Sequence, residues 1–157
     1  MSTAQTSRVE QNKQLVGAWY AALASLDVEA FLAVQTDDVV YNVSGRTPVS
    51  GFFQGKKTLT EEILPLVFNA LEADTFQFSR RWKVMCADES RVTAIMEAEG
   101  LASNGLRYDQ RYCQIFGFRD GKISEVWEFF DTALAQVALF GNELSKPEPA
   151  PKEPFRY

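Results

Sequence analysis

Residues 75–131 read as four runs of strand-like residues separated by Ala87-Asp88-Glu89-Ser90, Asn104-Gly105 and Asp120-Gly121. Asn-Gly and Asp-Gly close tight hairpins because the central positions of such turns need positive φ, which few other residues tolerate. These turns constrain the fold more than any other feature. They predict an antiparallel meander of strands at 75–86, 91–102, 106–118 and 122–131, and they also set a register.

With Asp120-Gly121 as a two-residue turn, Arg119 faces Lys122, Phe118 faces Ile123, Gln114 faces Trp127 and Gln110 faces Asp131. Placing Ser103 opposite Leu106 across Asn104-Gly105 brings Glu99 opposite Gln110, Glu97 opposite Tyr112 and Ile95 opposite Gln114. Pairing Cys86 with Arg91 sets Arg80 opposite Glu97 and Trp82 opposite Ile95. Side chains alternate between faces. One face is therefore expected to collect Phe78, Arg80, Trp82, Ile95, Glu97, Glu99, Tyr108, Gln110, Tyr112, Gln114, Phe116, Trp127, Phe129 and Asp131. The other is expected to carry Arg81, Lys83, Arg107, Asp109, Arg111, Cys113, Ile115, Val126 and Glu128.

Ahead of the meander, Val9, Leu15, Val16, Trp19, Tyr20, Leu23 and Ala24 recur at helical spacing over 8–25. A second short helix is expected from Leu26-Asp27 through Val34, a strand at 37–43, a long loop, and a third helix from Thr58 to Leu71 with Pro65 as a possible kink. Helices, strand, helix, then meander is an α+β order. It predicts helices packed on one face of a mainly antiparallel sheet. One domain is expected over 1–142. Residues 143–157 hold four of the six prolines and read as a tail laid on a partner.

The chain has 157 residues and 46% hydrophobic content, enough for one core that buries roughly 70% of the unfolded surface. Its net charge of −5 disfavours nucleic acid as a partner. No apolar run approaches the roughly 20 residues that span a bilayer. Cys86 and Cys113 have neither metal-ligand nor redox spacing, and the first residues lack the apolar stretch of a signal peptide, so a cytoplasmic location is expected.

Histidine is absent. Proton transfer is thereby left to Asp, Glu, Tyr, Lys and Cys, and no cofactor or metal is expected. Carboxylates enclosed among aromatic rings have raised pKa values unless paired, which suits acid–base work near neutral pH. Glu99 and Asp131, one strand apart on either side of Gln110, would have backbones about 10 Å apart, close enough for a small molecule to bridge. Each candidate also has a structural reading. Asp131 precedes Thr132-Ala133-Leu134 and could cap a helix, Tyr20 could be a core aromatic, and Glu97 and Glu99 could pair with Arg80.

The ordered segments "LVGAWYAALASLDVEAF", "DDVVYNVSG…VSGFFQGKKTL" and "YCQIFGFRDGKISEVWEFFDT" resemble the nuclear-transport-factor-2-like superfamily, in its SnoaL-like and ketosteroid-isomerase-like branch, over about residues 10–138. The resemblance implies a cone of three N-terminal-half helices packed on a curved, mainly antiparallel sheet, an apolar pocket enclosed by it, and a homodimer. It also implies that Tyr20 matches the helix tyrosine that donates to a substrate oxyanion. Asn42 stands where ketosteroid isomerases place an aspartate base, and Gln114 near their second acid. "WEFFD" resembles the catalytic segment of limonene-epoxide-hydrolase-like proteins ending at Asp131, "MEAEG" supplies Glu97 and Glu99, and Tyr41 and Asn42 resemble the pair that holds a hydrolytic water.

Together these features lead to an expected pocket enzyme doing cofactor-independent acid–base chemistry on an apolar oxygenated molecule, as isomerase, cyclase, dehydratase or epoxide hydrolase. Asp131, Glu99, Glu97 and Tyr20 are its expected catalytic groups. Tyr41, Asn42, Arg80, Trp82, Gln110, Tyr112, Gln114, Phe116 and Trp127 are its expected binding groups. The alternative is a non-catalytic ligand-binding or protein-interaction module of the same fold.

Overall fold

The computed structural model describes residues 7–144. Residues 145–157, which hold the proline-rich stretch expected to dock on a partner, lie outside the described residues.

Helix α1 spans Arg8–Ser25 and starts at Ser7, whose side chain accepts from the Glu10 N–H at 3.3 Å. Asp27 caps α2, Val28–Ala33, by accepting from the Ala30 N–H at 2.9 Å. Strand β1 follows at Gln35–Val43. The segment expected as a loop contains a short strand, β2, at Gly51–Gln54. The expected third helix is divided into α3, Lys56–Thr58, a π-helical turn at Leu59–Ile63, and α4, Leu64–Phe68. Pro65 sits in the first turn of α4, where its missing N–H costs little. Strands β3 (Gln77–Ala87), β4 (Arg91–Glu99), β5 (Gln110–Arg119) and β6 (Lys122–Phe130) form the meander, and α5 is Thr132–Ala138.

The six strands lie in the order β2-β1-β6-β5-β4-β3. All neighbours are antiparallel except β1 and β6, which run parallel. The α+β cone is therefore the observed architecture. Its core gathers Val16, Trp19 and Tyr20 of α1 against Val92, Ala94, Met96, Phe116 and Val126 of the sheet. Full burial of a residue such as Phe116 is worth roughly 1.5–3 kcal/mol.

The register departs from the expected one in three places, and two of the departures reverse a face. At the first, the β4–β5 connection pairs Ala102 with Leu106 and leaves Ser103, Asn104 and Gly105 in the loop, Gly105 at φ 82°. Three loop residues instead of two place Ala98 opposite Gln110 and Met96 opposite Tyr112. Val92, Ala94, Met96 and Ala98 consequently point inward, while Ile95, Glu97 and Glu99 face outward. At the second, the β5–β6 hairpin begins as expected, with Arg119 opposite Lys122 and Phe118 opposite Ile123, but Gly117 then pairs with Glu125. Ser124 is the extra residue of a β-bulge. Beyond it every β6 side chain changes sides, because the period of a strand is two residues. Val126 and Glu128 turn inward, and Trp127 and Phe129 turn outward. A Cβ at Gly117 would lie 2.6 Å from the tip of the Arg91 side chain, whose guanidinium bridges to Glu125 at 2.9 Å.

On β3, Arg81 rather than Arg80 pairs with Glu97, and Trp82 stands opposite Met96 rather than Ile95. Ser79 takes positive φ at 49° where the β3–β4 pairing shifts.

Candidate functional site

The cone encloses an apolar cavity of about 100 Å³. Trp19, Leu23 and Phe31 of the first two helices, Tyr41 and Val43 of β1, and Leu59, Ile63, Leu64, Val67 and Phe68 of the divided helix form much of its wall. Phe78, Met96, Tyr112, Gln114 and Glu128 complete its sheet side. Glu128 is the one carboxyl on that wall among the described residues.

Glu128 reaches the cavity because the Ser124 bulge turns its side chain inward. Its Oε2 accepts from Gln114 Nε2 at 3.0 Å. Burial drives its pKa upward, and the single bond from Gln114 offsets that only in part. Gln114 is itself held from behind, since its Oε1 accepts from the Tyr20 hydroxyl at 2.7 Å. The Tyr20 ring lies against Trp82 at a centroid distance of 4.9 Å and edge-on to Trp19 at 5.2 Å. Tyr20 thus fixes the amide from outside the cavity wall. Because its oxygen accepts from Tyr20, Gln114 presents its N–H group to Glu128, and a chain of three side chains links α1, β5 and β6. Burial raises the Tyr20 pKa far above its ordinary value, so the hydroxyl stays protonated and remains a donor.

Two further hydroxyls meet the wall. Tyr41 donates to Gln35 Oε1 at 2.7 Å, while Gln35 Nε2 donates to the Phe31 carbonyl at 2.7 Å, which ties β1 to α2. Tyr112 shares a 3.1 Å hydrogen bond with Tyr108, whose pKa is pushed up to about 12 mainly by burial.

The other expected site residues lie elsewhere. Asp131 is exposed, and its carboxylate accepts from the Leu134 N–H at 3.0 Å as the cap of α5. Gln110 clamps the backbone of that residue, donating to the Asp131 carbonyl at 2.9 Å and accepting from the Asp131 N–H at 3.1 Å. Glu97 sits on the outer face with Arg81, at 2.8 Å, and that hydrogen bond holds its carboxyl below the ordinary glutamate range. Arg80 pairs with Glu99, also away from the cavity. Asn42 stands between Phe52 and Trp127 on the outer face of the sheet. Phe116 is wholly buried behind the wall, against Trp19 and Tyr20.

Of the expected residues, the structure brings Tyr41, Tyr112 and Gln114 to the cavity, with Tyr20 behind Gln114. It does not bring Asp131, Glu97 and Glu99 together. Glu128 was assigned to the opposite face by the two-residue hairpin register. Ile123 and Val126, both buried, are three residues apart, a spacing that an uninterrupted strand cannot place on one face, and the structure alone shows that both point inward. Among the described residues no cluster of three or more Cys, Asp or Glu side chains is arranged to hold a metal, and no helix is long and apolar enough to cross a membrane.

A sequence model of the SnoaL-like domain matches residues 16–126. No curated protein matches the chain. Solved structures that resemble it include an NTF2-like protein from Burkholderia xenovorans LB400, 20% identical, covering 83% of this chain and 97% of its own with a TM-score of 0.69. A candidate isomerase from Bacillus subtilis is 17% identical over 88% of this chain and 98% of its own, with a TM-score of 0.71. A candidate polyketide cyclase from Xanthomonas campestris pv. campestris is 24% identical over 84% of this chain and all of its own (100%), with a TM-score of 0.67. At these identities the likeness establishes a shared fold.

Proposed function

The chain belongs to the SnoaL-like domain family and has the NTF2-like fold, and from that premise we propose that it is a small-molecule isomerase or cyclase working by proton transfer from Glu128. The observation that carries this reading is a carboxyl of raised pKa on the wall of an apolar cavity. Such a group holds a proton at pH values where ordinary carboxylates have lost theirs. It can protonate a substrate oxygen or carbon, or take a proton once it has ionised. Glu128 is the proposed catalytic residue, Gln114 the donor that steadies its carboxylate form, and Tyr20 the positioning residue that fixes Gln114. The cavity, with aromatic and aliphatic walls and one polar end, suits an apolar molecule carrying an oxygen function. The isomerase and polyketide-cyclase descriptions of two structural neighbours accord with that chemistry.

We also place a homodimer interface on the outer sheet face. The bulge and the three-residue loop leave Ile95 and Phe129 there, 45% and 40% exposed, and Phe52, 63% exposed on β2, lies two strands from β6 in the same sheet. Val126, expected to contribute to this face, is wholly buried instead. Large apolar side chains left exposed on a sheet face favour association with a second copy.

The deciding experiment screens polyketide-like and terpenoid ketones and epoxides for turnover, then compares Glu128→Gln with the parent. Loss of turnover with unchanged ligand binding supports the enzyme. Equal turnover by both proteins removes Glu128 from the chemistry, and binding without turnover by the parent returns the fold to a ligand-binding role.

A further inference from the structure

Phe68 and Phe78 each belong to two walls. On one side they close the inner cavity of about 100 Å³. On the other they line a cleft of about 270 Å³, bounded also by Leu26, Val28, Leu71 and Phe76. The two rings meet edge to face with centroids 6.2 Å apart at 73°. Phe78 is fixed by Phe76, at 4.6 Å, and is almost fully buried, whereas Phe68 is partly buried at the last position of α4. Of the two, Phe68 is the less buried.

We propose that Phe68 is a gate between the two spaces and that the substrate is an elongated apolar molecule, its oxygen-bearing end at Gln114 and Glu128 and its apolar remainder in the outer cleft. This rests on the reading of Glu128 as the reacting group. Small-molecule sites generally occupy roughly 300–1,000 Å³, a range the inner cavity alone falls well short of and which the two spaces joined reach. The polar groups are confined to the inner end. The cleft offers only apolar side chains, among them Leu26 and Val28, 45% and 37% exposed. A substrate tail that covers them removes that surface from water. Turning one phenyl side chain between staggered rotamers joins the spaces without moving a strand or helix.

The test uses 4-alkylphenols from ethyl to octyl as probes, with affinities from calorimetry on the full chain. The parent is expected to bind tighter as the chain lengthens, by roughly fourfold per methylene until the cleft is filled. Phe68→Trp, which plugs the passage, and Val28→Trp, which narrows the cleft from its solvent side and does not disturb the core, are each expected to flatten that rise to less than about threefold from ethyl to octyl. No length dependence in the parent, including no binding of the long phenols, overturns the gate. So does a length dependence that survives both tryptophan variants. Glu128→Leu separates the two readings: it is expected to weaken every phenol by the same factor. If the length dependence holds while Glu128→Leu changes no affinity, the gate stands and the polar end has been misassigned.

Discussion

The Tyr20 hydroxyl donates to the side-chain oxygen of Gln114 at 2.7 Å, joining residues 94 positions apart in a fully buried contact. That bond decides which end of the Gln114 amide faces Glu128. Tyr20→Phe removes it and frees the amide to turn. The expected outcome is a loss of about 1 kcal/mol in stability by denaturant unfolding. Turnover should fall about tenfold and the pH profile should shift, because Gln114 no longer holds its N–H group on Glu128. A variant with the parent's pH profile and turnover shows that Tyr20 only packs.

Glu128 gives a pH dependence whose sign follows from its raised pKa. The folded chain holds this proton more tightly than the unfolded chain, so the stabilisation is present in full below the ordinary glutamate value of about 4.3. It is lost as pH rises from there through the raised folded value. Carboxylates whose pKa is lowered in the folded state, such as Glu97 and Asp109, act in the opposite direction. The measurement is therefore the difference in melting temperature between the parent and Glu128→Gln across pH 4 to 8. The parent is expected to lose stability relative to the variant as pH rises, and a flat difference contradicts the assignment.

Asp131 caps α5 from an exposed position. Asp131→Asn should stay within about 0.5 kcal/mol of the parent, since asparagine caps as well as aspartate, whereas Asp131→Ala should cost about 1 kcal/mol. Neither should reduce turnover by more than about twofold. A hundredfold loss in the asparagine variant would restore Asp131 to the chemistry.

Gly100 takes φ 147° at the end of β4, and a Cβ there would lie 2.5 Å from the Phe76 Cα. Two of the three nearest atoms, the Phe76 Cα and the Thr75 carbonyl oxygen, are backbone and cannot swing aside. Gly100→Ala is expected to destabilise by at least about 2 kcal/mol, read from chemical denaturation.

The outer face gives a test of assembly. Phe129→Glu places a charge on the outer face that Ile95 also occupies. Sedimentation should show the parent as a dimer and the variant as a monomer at micromolar concentration. A monomeric parent removes the proposed interface.

The sequence alone determined the α+β order, the turns at Asn104-Gly105 and Asp120-Gly121, and the inward set on β5, because that strand alternates cleanly from Gln110 through Tyr112 and Gln114 to Phe116. Family membership was legible too, carried by ordered segments across most of the chain. What the sequence could not decide was which face β4 and β6 present. In β6, Ile123, Trp127 and Phe129 alternate as plausibly as Val126, Glu128 and Phe130, and in β4 the set containing Ile95 competes with the set containing Met96. Local pattern carries no preference between two sets of similar hydrophobicity. The choice fell to one residue in each strand pair, Ser124 as a bulge and the third residue of the loop at 103–105, and these are selected by how the whole sheet curves and packs under α1. A one-residue slip reverses every side chain beyond it. For that reason only the tertiary structure could exchange Asp131, Glu97 and Glu99 for Glu128 at the cavity wall.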